Sequence, residues 1–170
     1  NLTGADLTDA NLTGADLTDA NLTGADLTGA DLTDANLTGA DLRYADILRA
    51  DLSGANLTDA DLTGAKLGYA DLRYADLTAA NLTGADLRYY ADLTGADLTG
   101  ADLTDANLRY ANLNLANLTN VNFSGSNLAD VSFNFANLTG ANFTGADLTN
   151  VNLSSANLTL VTNDNDAPTG

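Results

Sequence analysis

Aspartate is the one side chain in this sequence both abundant enough and regularly enough placed to suggest chemistry. The 170 residues carry 23 acidic side chains, all of them Asp, and no His, Cys, Glu, Met or Trp. Asp31, Asp51 and Asp71 stand twenty residues apart, and Asp92 follows twenty-one residues later. Carboxylates brought together at that spacing could ligate Ca²⁺, which takes several oxygen ligands. The competing reading is that Asp caps backbone amides at turns. It is favoured because Asn fills equivalent positions freely. Acid–base catalysis needs carboxylates held at different pKa values, and these Asp residues share one local context. Without His the commonest general base is missing, and without Cys there is no disulfide framework and no thiolate. No phosphate-cradling glycine loop and no basic patch is visible. The expectation is a chain that is not an enzyme and takes no cofactor.

The formal net charge is −17, and residues 1–105 hold 19 of the 23 acids. Such a surface repels nucleic acid and anionic lipid, so cations or a basic protein surface are the expected partners. No apolar run approaches the ~18 residues that cross a bilayer, so no membrane insertion is expected. No signal peptide is visible. The chain starts at Asn1, inside a repeat, and is expected to be a processed or excerpted segment.

What positions these residues is a period of five. Leu2, Leu7, Leu12 and Leu17 open a register that holds to Leu87, takes one extra residue around Arg88-Tyr89-Tyr90, and resumes from Leu93 to Leu158. That gives 18 central positions before the insertion and 14 after it. The unit reads Ala-Asp/Asn-Leu-Thr-Gly/Asp. Helices space apolar residues by about 3.6 and strands by 2, so a buried face at period five requires a chain that turns a corner once per repeat. Ala and Leu then point inward. Asp/Asn, Thr and Gly point out, with Gly and Asp/Asn suited to the turn.

From Asn1 to Val161 this unit resembles the pentapeptide-repeat family, whose motif is Ala-Asp/Asn-Leu-X-X. The resemblance implies an all-β fold, a right-handed quadrilateral parallel β-helix with four repeats to the coil. Thirty-two repeats would make about eight coils. At ~4.8 Å per coil the rod would be roughly 40 Å long. Ile47 replaces a central Leu; Lys66 and Ser132 replace the preceding Asp/Asn. Phe123, Phe133 and Phe143, with Val121, Ser126, Val131, Val151 and Val161 in place of Ala, give the late coils a bulkier interior. The extra residue is expected to bulge at a corner.

If four repeats make a coil, residues twenty apart stack, twenty-one across the insertion. One column is Thr throughout: Thr18, Thr38, Thr58, Thr78, Thr99, Thr119, Thr139 and Thr159. It reads as a well-solvated β ladder, or else as a flat hydroxyl array for ice or a crystalline polysaccharide. A second column carries Arg49, Tyr69, Tyr89 and Tyr110, with Arg88 and Arg109 beside it. It reads as a stabilising aromatic ladder or as a protein contact, since Tyr and Arg are enriched at binding hot spots. Leu115 and Phe135 stack at outward positions on another face. Asn-X-Ser/Thr sequons, as at Asn1 and Asn81, fall out of the repeat itself.

The repeat ends after Val161, and residues 162–170 read as a polar linker. Asn165-Asp166-Ala167-Pro168-Thr169-Gly170 resembles inter-domain joints of giant secreted bacterial surface proteins. The leading expectation is therefore a structural solenoid, a rigid spacer or filament-forming module of a microbial extracellular or surface protein, a cytoplasmic home being the alternative. It would self-associate end to end or join neighbouring domains, with Ca²⁺ a further candidate partner. The family resemblance also implies a rival function, a DNA-mimicking rod that binds type II topoisomerases. The early placement of the acids and the lack of a C-terminal helical pattern stand against it. Ice or glycan binding through the Thr column is the third reading.

Overall fold

Five backbone N–H groups per repeat need acceptors, because a buried unpaired donor costs about as much as a lost hydrogen bond. The computed structural model describes residues 1–163 and satisfies all five in nearly every regular repeat of the interior coils. Residues 51–55 show the scheme. Asp51 N–H donates to the Ala30 carbonyl one coil back (2.9 Å), and Leu52 N–H to the Asp71 carbonyl one coil on (2.7 Å). Ser53 N–H donates to Asp51 Oδ1 (2.9 Å). Gly54 N–H reaches the Arg73 carbonyl (2.9 Å), and Ala55 N–H closes a turn on the Leu52 carbonyl (3.0 Å). Three donors thus tie neighbouring coils, one closes the corner, and one is capped by a side chain.

Parallel bridges join residues twenty apart, from Asp6↔Asp26 to Asn142↔Thr162, with twenty-one between partners from Asp71↔Asp92 to Asp86↔Asn107. The extra residue is absorbed at the corner around Tyr89 and Tyr90, and the ladder on either side keeps its register. The expected β-helix differs in one respect from a conventional sheet: among the described residues each repeat contributes a single bridge residue and no longer strand. A corner every five residues leaves no room for one. Bridging continues to Thr162, one residue past the expected boundary at Val161. The rest of the expected linker, residues 164–170, lies outside the described residues.

The residue before each Ala is left-handed, with φ between 53° and 71° at every such corner from Gly4 to Leu160 that carries a positive value. That is the sign a type II turn requires at its second central position, where Gly and Asn are comfortable and bulky side chains are strained. Gly, Asp and Asn occupy most of these corners.

Inside, Leu and Ala form one column of core from Leu22 to Phe143, nearly all of it fully buried. In the late coils the Phe123 and Phe143 rings stack at 5.3 Å between centroids, with Phe133 edge-on to both. Ser126, in an Ala position, is buried and donates its hydroxyl to the Phe123 carbonyl at 2.7 Å. The bulkier late interior read from the sequence is thus filled by an aromatic cluster.

Two outcomes follow from this scheme. Leu57→Ala, at a site with no exposed surface, should lower unfolding stability by ~2–5 kcal/mol in a urea titration, since neighbouring coils cannot collapse into the cavity. A loss under about 1 kcal/mol would mean the core is loosely packed. The second concerns Asp41, whose carboxyl is held down to about 2 chiefly by the hydrogen bonds from Arg43. A depressed folded-state pKa contributes stability above the unfolded value, lost as pH falls through the folded one. Asp41→Asn should therefore melt below the parent at pH 6, and the gap should close between about pH 4 and about pH 2. A gap independent of pH would show that the ion pair contributes nothing.

Candidate protein-binding face

The solenoid has four sides, each fixed by one bridge series. Asp6, Asp26, Asp46, Lys66, Asp86, Asn107, Asn127 and Asp147 define the side on which departures from the repeat are most concentrated. Here the corner residues Arg49, Tyr69, Tyr89, Tyr90 and Tyr110 all have positive φ, from 59° to 69°. A bulky side chain in the left-handed region costs of order 1–2 kcal/mol, and this side carries five such residues over four successive coils.

Stacking recovers part of that cost. Tyr69 and Tyr89 stack at 5.7 Å between ring centroids, and Tyr90 and Tyr110 at 5.8 Å. The single column expected from Tyr69, Tyr89 and Tyr110 is therefore two stacked pairs. The extra residue makes the difference, since Tyr89 faces the coil before it and Tyr90 the coil after. Arg49 lies 5.9 Å from the Tyr69 centroid, Arg88 5.1 Å from Tyr89, and Arg109 4.7 Å from Tyr110, all cation–π contacts. Arg109 also donates to the Tyr110 hydroxyl at 2.8 Å. The rings remain about one third to two thirds exposed, Tyr90 the most at 68%.

Backbone bonding loosens on the same side. Lys66 stands where Asp or Asn would cap, and the N–H groups of Gly68, Tyr69, Tyr90 and Ala91 make no hydrogen bond within the described residues. Gly68 is buried, and a Cβ there would crowd Leu48 Cδ2 at 3.0 Å and the Arg88 carbonyl at 3.2 Å. The result is a groove of about 350 Å³ lined by Thr28, Leu48, Arg49, Tyr69 and Tyr89. A smaller one of about 140 Å³ lies between Arg88, Tyr89, Arg109 and Tyr110. They share Tyr89 and run along the rod.

Charge separates this side from the others. Over the four coils from residue 41 to residue 121 it carries Arg49, Lys66, Arg88 and Arg109 against Asp46 and Asp86, a net of +2. Each of the other three sides is net negative over the same coils. Lys66 pairs with Asp46 at 2.9 Å, Arg88 with Asp86 at 2.7 Å, and Arg109 with Asp130 at 3.4 Å. Arg49 has no carboxylate within ion-pair distance among the described residues. Burial pushes the Asp86 carboxyl up, but hydrogen bonds and charge from Arg88 outweigh it and hold it below the usual range.

The other candidates are placed differently. In the Thr column, Thr18 donates to Asp16 Oδ1 at 2.6 Å and Thr99 to Asp97 Oδ1 at 2.6 Å. Asn117 of the next coil donates back to Thr99 Oγ1 at 2.9 Å, and Asn137 to Thr119 Oγ1 at 2.9 Å. Most hydroxyls of the column are used within the rod in this way, while Thr78 Oγ1 makes no hydrogen bond among the described residues. In the acidic column, Oδ1 of Asp31, Asp51, Asp71 and Asp92 accepts the N–H two residues on, at 2.9–3.1 Å. Asp71 also pairs with Arg73. The four carboxylates thus form a row of turn caps, and among the described residues no group of three or more His, Cys, Asp or Glu side chains is placed to hold a metal ion. Leu115 and Phe135 are exposed, in one column with Tyr74, whose ring lies over Gly95. Sequence reasoning missed Leu48, Lys66 and Tyr90 as parts of the cationic side. Leu48 and Lys66 break the repeat and could have been found by that signal; Tyr90 required knowing which way the insertion turns.

A family profile described as pentapeptide repeats matches the chain in 8 copies, over residues 1–39, 20–59, 55–88, 89–125 and 126–162. No curated protein matches. The solved structure of HetL, a pentapeptide-repeat protein involved in heterocyst differentiation regulation from the cyanobacterium Nostoc sp. strain PCC 7120, is similar at 40% identity and TM-score 0.91, covering 94% of this chain and 72% of that one. A pentapeptide-repeat protein of the Arabidopsis thaliana thylakoid lumen matches at 34% identity over 75% of this chain and 68% of its own, with TM-score 0.38. The fold that the HetL likeness carries is the right-handed quadrilateral β-helix. With the repeat profile covering nearly its whole length, the chain belongs to the pentapeptide-repeat family.

Proposed function

We propose that the chain is a non-catalytic rigid rod of about eight coils, a spacer that holds its neighbours at a fixed distance and presents one distinctive side. The observation that carries this reading is the bonding scheme: the regular repeats of the interior coils each spend three of their five N–H donors on neighbouring coils, over a core unbroken from Leu22 to Phe143. A chain tied coil to coil in this way resists bending along its length. The carboxylates that precede each central Leu support the non-catalytic part, because they recur in one place and serve as caps. HetL, similar over most of both chains, is described as involved in regulation, a role compatible with a rod that works by being bound.

Hydrogen exchange checks the rod directly. Amides between Leu32 and Ala116 should exchange as one slowly opening block, because each coil opens only when its neighbours do. The N–H groups of Gly68, Tyr69, Tyr90 and Ala91 should exchange fast inside that block. Exchange of the ladder amides within seconds in the middle coils would rule out a rigid spacer.

A further inference from the structure

The cationic side has a counterpart on the adjacent side of the same rod. Arg49, Lys66, Arg88 and Arg109 place one cation on each of four successive coils. Asp31, Asp51, Asp71 and Asp92 place one carboxylate on each of four successive coils, joined by consecutive bridges. No other bridge position carries acid on four coils in a row. Across those coils the acidic side holds Asp31, Asp34, Asp51, Asp71 and Asp92 against Arg73, a net of −4.

Both rows rise by the same step, because both are cut from one solenoid with coils ~4.8 Å apart. An extended peptide brings side chains to one face every ~6.6–6.8 Å and drifts out of register with the cations within a few coils. A second rod of the same rise stays in register along the whole row. We propose that the cationic tyrosine side of one copy docks on the Asp31–Asp92 row of a second copy, so that rods associate side by side. The half-exposed Tyr69, Tyr89 and Tyr110 rings supply rigid contact area of the kind that dominates interfaces. Arg49, lacking an acid of its own, gains one. The contact joins two different sides, so it is heterologous and continues past a dimer into a ring or an open array. The net charge of −17 opposes approach, but at 0.15 M salt repulsion is screened beyond ~8 Å while contacting pairs are screened less.

The test is light scattering on residues 1–170 in 0.15 M salt, from micromolar to millimolar protein. The parent should gain mass beyond a dimer as concentration rises. An Arg49→Glu/Arg109→Glu variant and an Asp51→Lys/Asp92→Lys variant, each checked for a native circular dichroism spectrum, should each associate at least tenfold more weakly. An equimolar mixture of the two should recover association, because each still carries the side the other lacks. A parent that stays monomeric throughout overturns the proposal, as does a monomeric parent that instead captures an Asp-rich peptide through Arg49. Association undiminished in both variants also overturns it and assigns the contact to the rod ends. None of these outcomes touches the exchange-protected rod, which stands or falls on its own measurement.

Discussion

The whole architecture depends on one local hydrogen bond, from the backbone N–H after each central Leu to the side-chain oxygen of the Asp or Asn before it. The other four donors of a repeat find carbonyls because the chain is coiled. This donor points where no carbonyl lies, at the start of a corner, and only a short side chain carrying an sp² oxygen can meet it there. That is why the second position of the unit is Asp or Asn almost without exception, and why Glu, one methylene longer, is absent. The two departures test the rule. At Ser132 the orphaned Asn134 N–H is taken by Asn114 Oδ1 from the coil before, at 2.8 Å. At Lys66 nothing replaces the cap, and the Gly68 N–H makes no hydrogen bond within the described residues.

Asp and Asn satisfy that bond equally but differ in what they do to the next coil. An Asn amide also donates: Asn117 reaches Asp97 Oδ1 at 3.2 Å and Thr99 Oγ1 at 2.9 Å, and Asn137, Asn142 and Asn157 repeat the pattern. The late coils are thus zipped by side chains as well as backbone. A carboxylate has no proton to give, so a row of Asp can only stack like charges one coil apart, at a cost offset by its own capping bonds. The early half of the rod trades side-chain ladders for a charged surface. Since the cap alone would be met by Asn, the fourfold run of acid at Asp31, Asp51, Asp71 and Asp92 is not required by the fold.

Much of this was legible in the sequence because a period of five with Leu and Ala fixed admits few chain paths. Burial of Leu and Ala, stacking at twenty residues, and the resumption of register at Leu93 all follow from counting. The cap reading of Asp was legible too, from its interchange with Asn. What could not be counted was direction. Tyr89 and Tyr90 are adjacent, and only the corner geometry decides that one ring stacks on Tyr69 and the other on Tyr110. The Thr column could be read as a ladder or as a hydroxyl array because a column shows which residues align and not what each hydroxyl already bonds. The cationic side was only half visible for the same reason. Lys66 and Leu48 sit at other positions of the repeat than Arg49, and they join one surface only once the sides of the solenoid are drawn.

Strain and order point to the same place on the rod. Left-handed corners cost nothing with Gly and little with Asp or Asn, and a chain built only for rigidity would use those everywhere. Tyr and Arg instead occupy five such corners on one side, where the backbone also leaves four N–H groups unbonded and where the charge turns positive. Ring stacking and cation–π contacts offset part of the cost, but Gly at those corners would avoid the cost altogether. A solenoid that gathers strained corners, lost hydrogen bonds and an inserted residue on one side, with fewer bulky corners (Tyr44, Tyr74, Leu115 and Phe135 among them) on the others, has a surface whose composition its stability does not explain.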